Sequence, residues 1–116
     1  MSPKKVIDSL TSKEKQAIYQ ALLATMAVDG VSTDKEKAVI GKAVKQMGLS
    51  DAERQTATQC SKDESLAVLK AMNKSKKELL GDFMAQVIYA DSLIHPLEEK
   101  FFRSMHAYLG LPKKDY

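Results

Sequence analysis

Four carboxylates at matched spacing are the residues of this sequence best suited to chemistry. Asp29 and Glu36 stand in Met26-Ala-Val-Asp-Gly-Val-Ser-Thr-Asp-Lys-Glu36, and Asp91 and Glu98 stand at the same spacing in Tyr89-Ala-Asp-Ser-Leu-Ile-His-Pro-Leu-Glu98. Each stretch reads as a helix end, a turn and the start of the next helix. A negative side chain in the last turn of a helix meets the negative end of the macrodipole, which disfavours it by about 0.3–1 kcal/mol. Asp29 and Asp91 therefore call for compensation. Three sources are open: the free N–H groups of the following helix, a lysine, or a bound cation. Hard cations such as calcium, magnesium or manganese take oxygen ligands, and one Asp and one Glu from each elbow offer four carboxylates.

The glutamates also have a structural reading. Thr11–Glu14, Thr33–Glu36, Ser50–Glu53, Ser61–Glu64 and Ser75–Glu78 all show the Ser/Thr-x-x-Glu spacing, in which the hydroxyl caps a free helix N–H and the glutamate reaches back. Five of the seven glutamates sit in such a pair, where composition alone gives about one. Glu98 stands three residues after His95, with Pro96 at a favoured first-turn position. Glu36 and Glu98 are thus where capping glutamates belong.

These caps mark out helices. Apolar spacing is helical throughout and strand signals are nearly absent. The pattern predicts a short helix from Ser2-Pro3 to about Ser9 and a second from Thr11 to about Val28 that buries Ile18, Leu22, Thr25 and Met26. A third runs from Thr33 to Met47 with Val39, Ile40, Ala43, Val44 and Met47 inward. Gly48 ends it as a left-handed residue. Short helices follow from Ser50 to Gln59 and from Ser61 to Met72. A sixth runs from Ser75 to Ala90. The last, from Pro96 to Leu109, carries Leu97, Phe101, Phe102, Met105 and Leu109 and is stopped by Gly110. Phe101 and Phe102 cannot face one direction, so one is core and the other partly exposed or covered by a neighbour.

Displacing the chain by 62 positions places Asp29 on Asp91, Glu36 on Glu98 and Gly48-Leu49 on Gly110-Leu111. The apolar positions match from about 17–50 to about 79–112. Two copies of one helix pair, joined by Ser50–Met72, predict an all-α bundle of about seven helices with pseudo-twofold symmetry. A further expectation is that the two elbows meet at one end.

At 116 residues the chain has the size of one domain, spanning 1–116. It has no apolar run long enough to cross a membrane, no apolar stretch near Met1 that suits a secretory signal, and one cysteine, Cys60. These features predict a cytoplasmic protein. The net charge of +3 is mild. Lysines gather at Lys4-Lys5, at Lys70/Lys74/Lys76/Lys77 and at Lys113-Lys114, but acidic residues interleave them and aromatics are few, which argues against a nucleic-acid partner. There is no Gly-rich phosphate loop and no His-Glu-x-x-His, and no nucleophile is placed beside a base, so the expectation is a protein that is not an enzyme. The Asp29 stretch is not an EF-hand loop, because its Gly falls second rather than sixth. His95 and His106 share no helix face and only Cys60 could add a thiolate, which argues against zinc. His95 reads as a cap, His106 as a surface or half-buried residue, and Cys60 as a small core residue.

The two Asp-(Gly/Ser)-x5-Glu elbows, each with a Gly-Leu exit nineteen residues after the Asp, resemble the tellurite-resistance protein B (TerB-like) family, to which the N-terminal domain of the membrane-anchored co-chaperone DjlA is related. Asp29-Gly-Val-Ser-Thr-Asp-Lys-Glu36 is close to the family's first motif. Asp91-Ser-Leu-Ile-His-Pro-Leu-Glu98 is a looser copy, with Ser92 for Gly. The resemblance covers roughly positions 15 to 112. It implies a helical bundle of about seven helices, a divalent metal held by Asp29, Glu36, Asp91 and Glu98, and a role in metal or stress-response systems as a module bound to other proteins. Asp34 is an outer candidate, and its counterpart Pro96 cannot ligate. The competing expectation is a metal-independent interaction scaffold, with the acidic pairs as caps and the lysine faces or an exposed Phe as contacts.

Overall fold

The displacement of 62 that aligns the acidic stretches also aligns the helices. The computed structural model describes residues 3–28, 33–90 and 96–111. Along them run α1 (Pro3–Asp8), α2 (Ser12–Ala27), α3 (Asp34–Met47), α4 (Asp51–Gln59), α5 (Lys62–Ala71), α6 (Lys74–Ile88) and α7 (Pro96–Leu109), with no strand among the described residues. Shifted by 62, α3 has the bounds of α7, and α2 those of α6 to within one residue.

The match extends further back than the acidic motifs show. Val6 falls on Val68, Ile7 on Leu69 and Leu10 on Met72, and all six are buried or half-buried. Leu10 N–H donates to the Ile7 carbonyl at 3.1 Å, as Met72 N–H does to that of Leu69 at 3.2 Å. The repeated unit is therefore α1–α2–α3 and α5–α6–α7, and α4 has no counterpart. This corrects the expectation that Ser50–Met72 is all connector. α1 spans six residues, too few for apolar periodicity to register before the packing is known.

The two units pack crosswise. α1 and α3 lie on α6, and in mirror fashion α5 and α7 lie on α2, while α2 and α6 meet at the centre. α4 packs on α2. Between the units the core is closed by Ile18, Leu22, Leu80, Met84, Val87 and Ile88, each essentially without solvent contact. Thr25 is equally buried at the position that corresponds to Val87, and its hydroxyl donates to the Ala21 carbonyl at 2.8 Å.

Local chemistry fixes the helix ends. Thr11, Thr33 and Ser50 each cap a helix and form the full reciprocal box with Glu14, Glu36 and Glu53. Ser61 supplies only the hydroxyl half. The expected Ser75–Glu78 start is wrong. Asn73 caps α6 instead, its Oδ1 accepting from Lys76 N–H at 2.9 Å. Asn caps at least as well as Ser, and it stands at the position equivalent to Thr11. Gly48 and Gly110 close α3 and α7 in the left-handed region, with φ of 66° and 68°. Leu49 N–H then bonds the Val44 carbonyl and Leu111 N–H that of His106, the same closure in both units.

Four inward assignments need adjustment. Phe102 is core and Phe101 half-buried, as two adjacent helical positions require, but Leu97 is 47% exposed. It lies in the first turn of α7. Met26, Val39 and Val44 are half-buried against the core rather than enclosed.

Candidate functional site

Of the four carboxylates predicted as a site, Asp29 and Asp91 lie outside the described residues, as does His95. Whether the elbows meet at one end therefore also falls outside them. Glu36 and Glu98 are described, and the fold treats them alike. Each is the third residue of its helix, and each is buried, at 3% and 4% exposure. Glu36 lies on the apolar stripe of α3 with Ile40, Ala43 and Met47, and Glu98 on that of α7 with Phe102, Met105 and Leu109. Asp34 is exposed, and Pro96 takes the first helical position as expected.

The three capping boxes allow Glu36 to be compared with glutamates that do the same local work. In each, one carboxylate oxygen accepts from the N-cap backbone N–H, at 2.9 Å from Thr11, 3.2 Å from Thr33 and 3.0 Å from Ser50. The second oxygen differs. That of Glu14 accepts from Lys76 Nζ, and that of Glu53 from the Ser12 hydroxyl. Glu36 Oε1 takes both the Thr33 N–H and the Thr33 hydroxyl, while Oε2 is buried and has no hydrogen-bond partner among the described residues. A cap contributes about 1 kcal/mol. Leaving a buried acceptor unmet costs about 1–3 kcal/mol, and more when it is charged. Capping alone therefore does not account for a glutamate in this place, and an oxygen in need of a positive partner suits a hard cation.

The carboxyl groups of the other two boxes show how partners decide charge. Burial works against ionisation of Glu14, but hydrogen bonds from Lys76 and from the Thr11 backbone outweigh it and hold its carboxyl below the ordinary range. Glu53, on the surface, is lowered by the Ser12 hydroxyl and the Ser50 N–H. His106 stands edge-on to Phe102 with ring centroids 4.5 Å apart, and burial pushes it below the usual histidine value despite a hydrogen bond at Leu111. Cys60 is half-buried and ends α4, where its carbonyl and that of Ala57 accept from the Gln20 amide. Among the described residues no three His, Cys, Asp or Glu side chains gather as a metal-binding group. The described half of the candidate site is thus two separately buried glutamates, Glu36 and Glu98.

No family model and no curated protein matches the chain. A crystal structure of a protein of unknown function from Porphyromonas gingivalis W83 is similar, with a TM-score of 0.76, 17% identity, and coverage of 90% of this chain and 88% of that one. At that identity the likeness establishes the fold alone.

Sequence spacing gave Glu14, Glu36 and Glu53 the same role and so missed what sets Glu36 apart. Part of the signal was present, since Glu36, Ile40, Ala43 and Met47 follow the i, i+4, i+7, i+11 rhythm of a buried stripe. Glu14 follows the same rhythm with Ile18, Ala21 and Thr25, and it too is largely covered. Its partner, Lys76, comes from the other unit, and no local pattern announces it. The described residues hold no helix long and apolar enough to cross a membrane.

Proposed function

We propose that the chain is a non-enzymatic, cytoplasmic TerB-like domain that binds a divalent cation at its acidic elbows and serves as a stress-response or tellurite-resistance-related module. The observation that supports this reading is the buried Glu36 carboxylate, whose Oε2 has no hydrogen-bond partner among the described residues although its capping work is complete. Glu36 and its equivalent Glu98 would hold the ion with Asp29 and Asp91. A cation there would neutralise buried charge and tie the end of one helix to the start of the next. Calcium, magnesium or manganese is the class of ion that oxygen ligands select.

The test is a titration of the metal-free protein with each ion at millimolar concentration, followed by thermal melting and by amide signals. The expected result is a rise in melting temperature with shifts near residues 29–36 and 91–98, both abolished in Asp29→Ala. Unchanged spectra and melting at millimolar metal overturn the reading. They would leave a metal-independent interaction scaffold, which the exposed apolar residues Leu97 and Tyr108 of α7 favour.

A further inference from the structure

We propose that the groove between α5 and α7 is a docking site for an acidic, amphipathic helix of a partner protein. This goes beyond metal binding and involves none of the elbow carboxylates. The floor of the groove is a half-open cavity of about 240 Å³, walled by Ala17 and Ala21 of α2, Leu66 and Leu69 of α5, and Phe101 and Met105 of α7. An apolar cavity of about 150 Å³ already accepts a benzene ring, so this one has room for an apolar side chain up to the size of phenylalanine.

The duplication supplies an internal control for that space. Ala17 and Ala21 correspond to Leu79 and Phe83, which are buried at 6% and 3% exposure against the other unit. On that side large side chains from the central helix occupy the room. On this side α2 carries alanines, and the larger Phe101 and Met105, standing where the first unit has Val39 and Ala43, leave the cavity partly unfilled.

The walls of the groove suggest the occupant. Leu97, Phe101 and Tyr108 fall on one stripe of α7, and Leu97 and Tyr108 are 47% and 54% exposed. On α5, Lys62, Leu66 and Lys70 share a row at i, i+4 and i+8, with Lys62 lining the cavity mouth. Lys70 Nζ lies 4.8 Å over the Tyr108 ring and so bridges α5 and α7. Asp63 lies beside this row, one turn before Leu66 and two before Lys70, so the wall carries two lysines and one aspartate, while Glu64 points away by helix geometry, as Glu99 and Arg103 do on α7. An apolar trough between two helices, with lysines outnumbering the single aspartate along one wall, fits a third helix with an apolar face and acidic edges. The lysines are eight residues apart, about 12 Å along α5, with Leu66 midway. The matching partner therefore carries an apolar anchor with an acidic residue four positions before it and four after.

The probe is a labelled, alanine-rich helical peptide with one phenylalanine flanked four residues on either side by glutamates, titrated into the full chain. The expected result is saturable binding, read by fluorescence anisotropy, with amide shifts confined to α2, α5 and α7. Ala21→Phe, which installs the residue found at the equivalent position 83, weakens binding by about tenfold or more. Lys62→Glu with Lys70→Glu, both exposed and checked for folding by the same amide spectra, does the same, and a peptide with lysines in place of its glutamates does not bind. No binding at millimolar peptide, or binding indifferent to the lysine reversals, overturns the proposal. So does undiminished binding by a folded Ala21→Phe. Binding of decanoate or of phosphatidylglycerol vesicles without binding of the peptide would assign the groove to lipid and also overturn it.

Discussion

Lys76 Nζ lies 2.8 and 3.1 Å from the two carboxylate oxygens of Glu14, and the two residues occupy equivalent positions of the internal repeat. Residues related by a twofold rotation can touch only beside its axis. The axis therefore passes between the third residues of α2 and α6, and the repeat has placed an acid on one side of it and a base on the other. Two glutamates there would repel, and two lysines likewise. Both side chains are about 15% exposed, so the pair is less screened than a surface bridge.

Exchange of this pair is the first prediction. Glu14→Lys alone and Lys76→Glu alone each destabilise the protein by about 1 kcal/mol or more, and the double exchange recovers most of the loss, because the positions are equivalent. Denaturant unfolding of the four proteins measures the coupling. Glu14 is held below its ordinary value of 4.5, so its contribution is complete above the unfolded value and disappears as pH falls through the folded one. The difference between wild type and Glu14→Gln should therefore shrink in acid.

Glu36→Gln separates capping from cation binding. The amide oxygen still accepts from Thr33, so stability without metal changes by less than about 1 kcal/mol. Under the proposed function, the melting shift caused by calcium or manganese is lost. A site of useful affinity supplies about 2.7 kcal/mol when metal exceeds the dissociation constant a hundredfold, which melting curves resolve easily. Glu53→Gln, at a solvated box, should leave the metal response intact.

The two glycine closures should respond equally. A Cβ at Gly48 or Gly110 meets nothing within 4 Å, while φ is 66° and 68°. The cost of alanine is thus purely conformational. It is about 1 kcal/mol at each site, measurable by chemical unfolding. A large inequality would mean that the two exits are not equivalent.

His106 predicts a pH effect of the opposite kind from Glu14. Burial lowers its pKa from 6.5, so the unfolded chain takes up a proton before the folded one does. Stability is unaffected above about pH 7 and falls as pH drops through 6.5 toward the folded value. His106→Gln should remove this slope between pH 7 and 5, whatever its effect on stability at pH 8.

Much of the fold could be read from single residues that have only one good place to be. Gly48 and Gly110 ended their helices, Thr11, Thr33 and Ser50 began theirs, and Phe101 and Phe102 split between core and groove as helix geometry requires. Where several residues compete for a place, spacing was a poorer guide. Asn73 took the cap of α6 from Ser75, and the six residues of α1 were too few to show that they repeat in α5. The site was legible as a set of carboxylates but not as an environment. What distinguishes Glu36 from Glu14 is Lys76 at the second oxygen in one case and no partner there among the described residues in the other, a fact of tertiary packing. Likewise, alanines at 17 and 21 look like ordinary helix formers until α5 and α7 are seen standing over them.

α4 has a consequence that concerns concentration. α1 and α3 rest on α6, and α5 and α7 on α2, so neither unit has a complete interior without the other. Were they separate molecules, they would have the character of an obligate dimer and come apart on dilution. The nine residues of α4, anchored to α2 by Gln20 at their end, hold the second unit near the first at an effective concentration in the millimolar range. Unfolding should then be independent of protein concentration. Freed from having to match itself, the sequence could place lysine opposite glutamate at the axis and open a groove on one side that remains packed on the other.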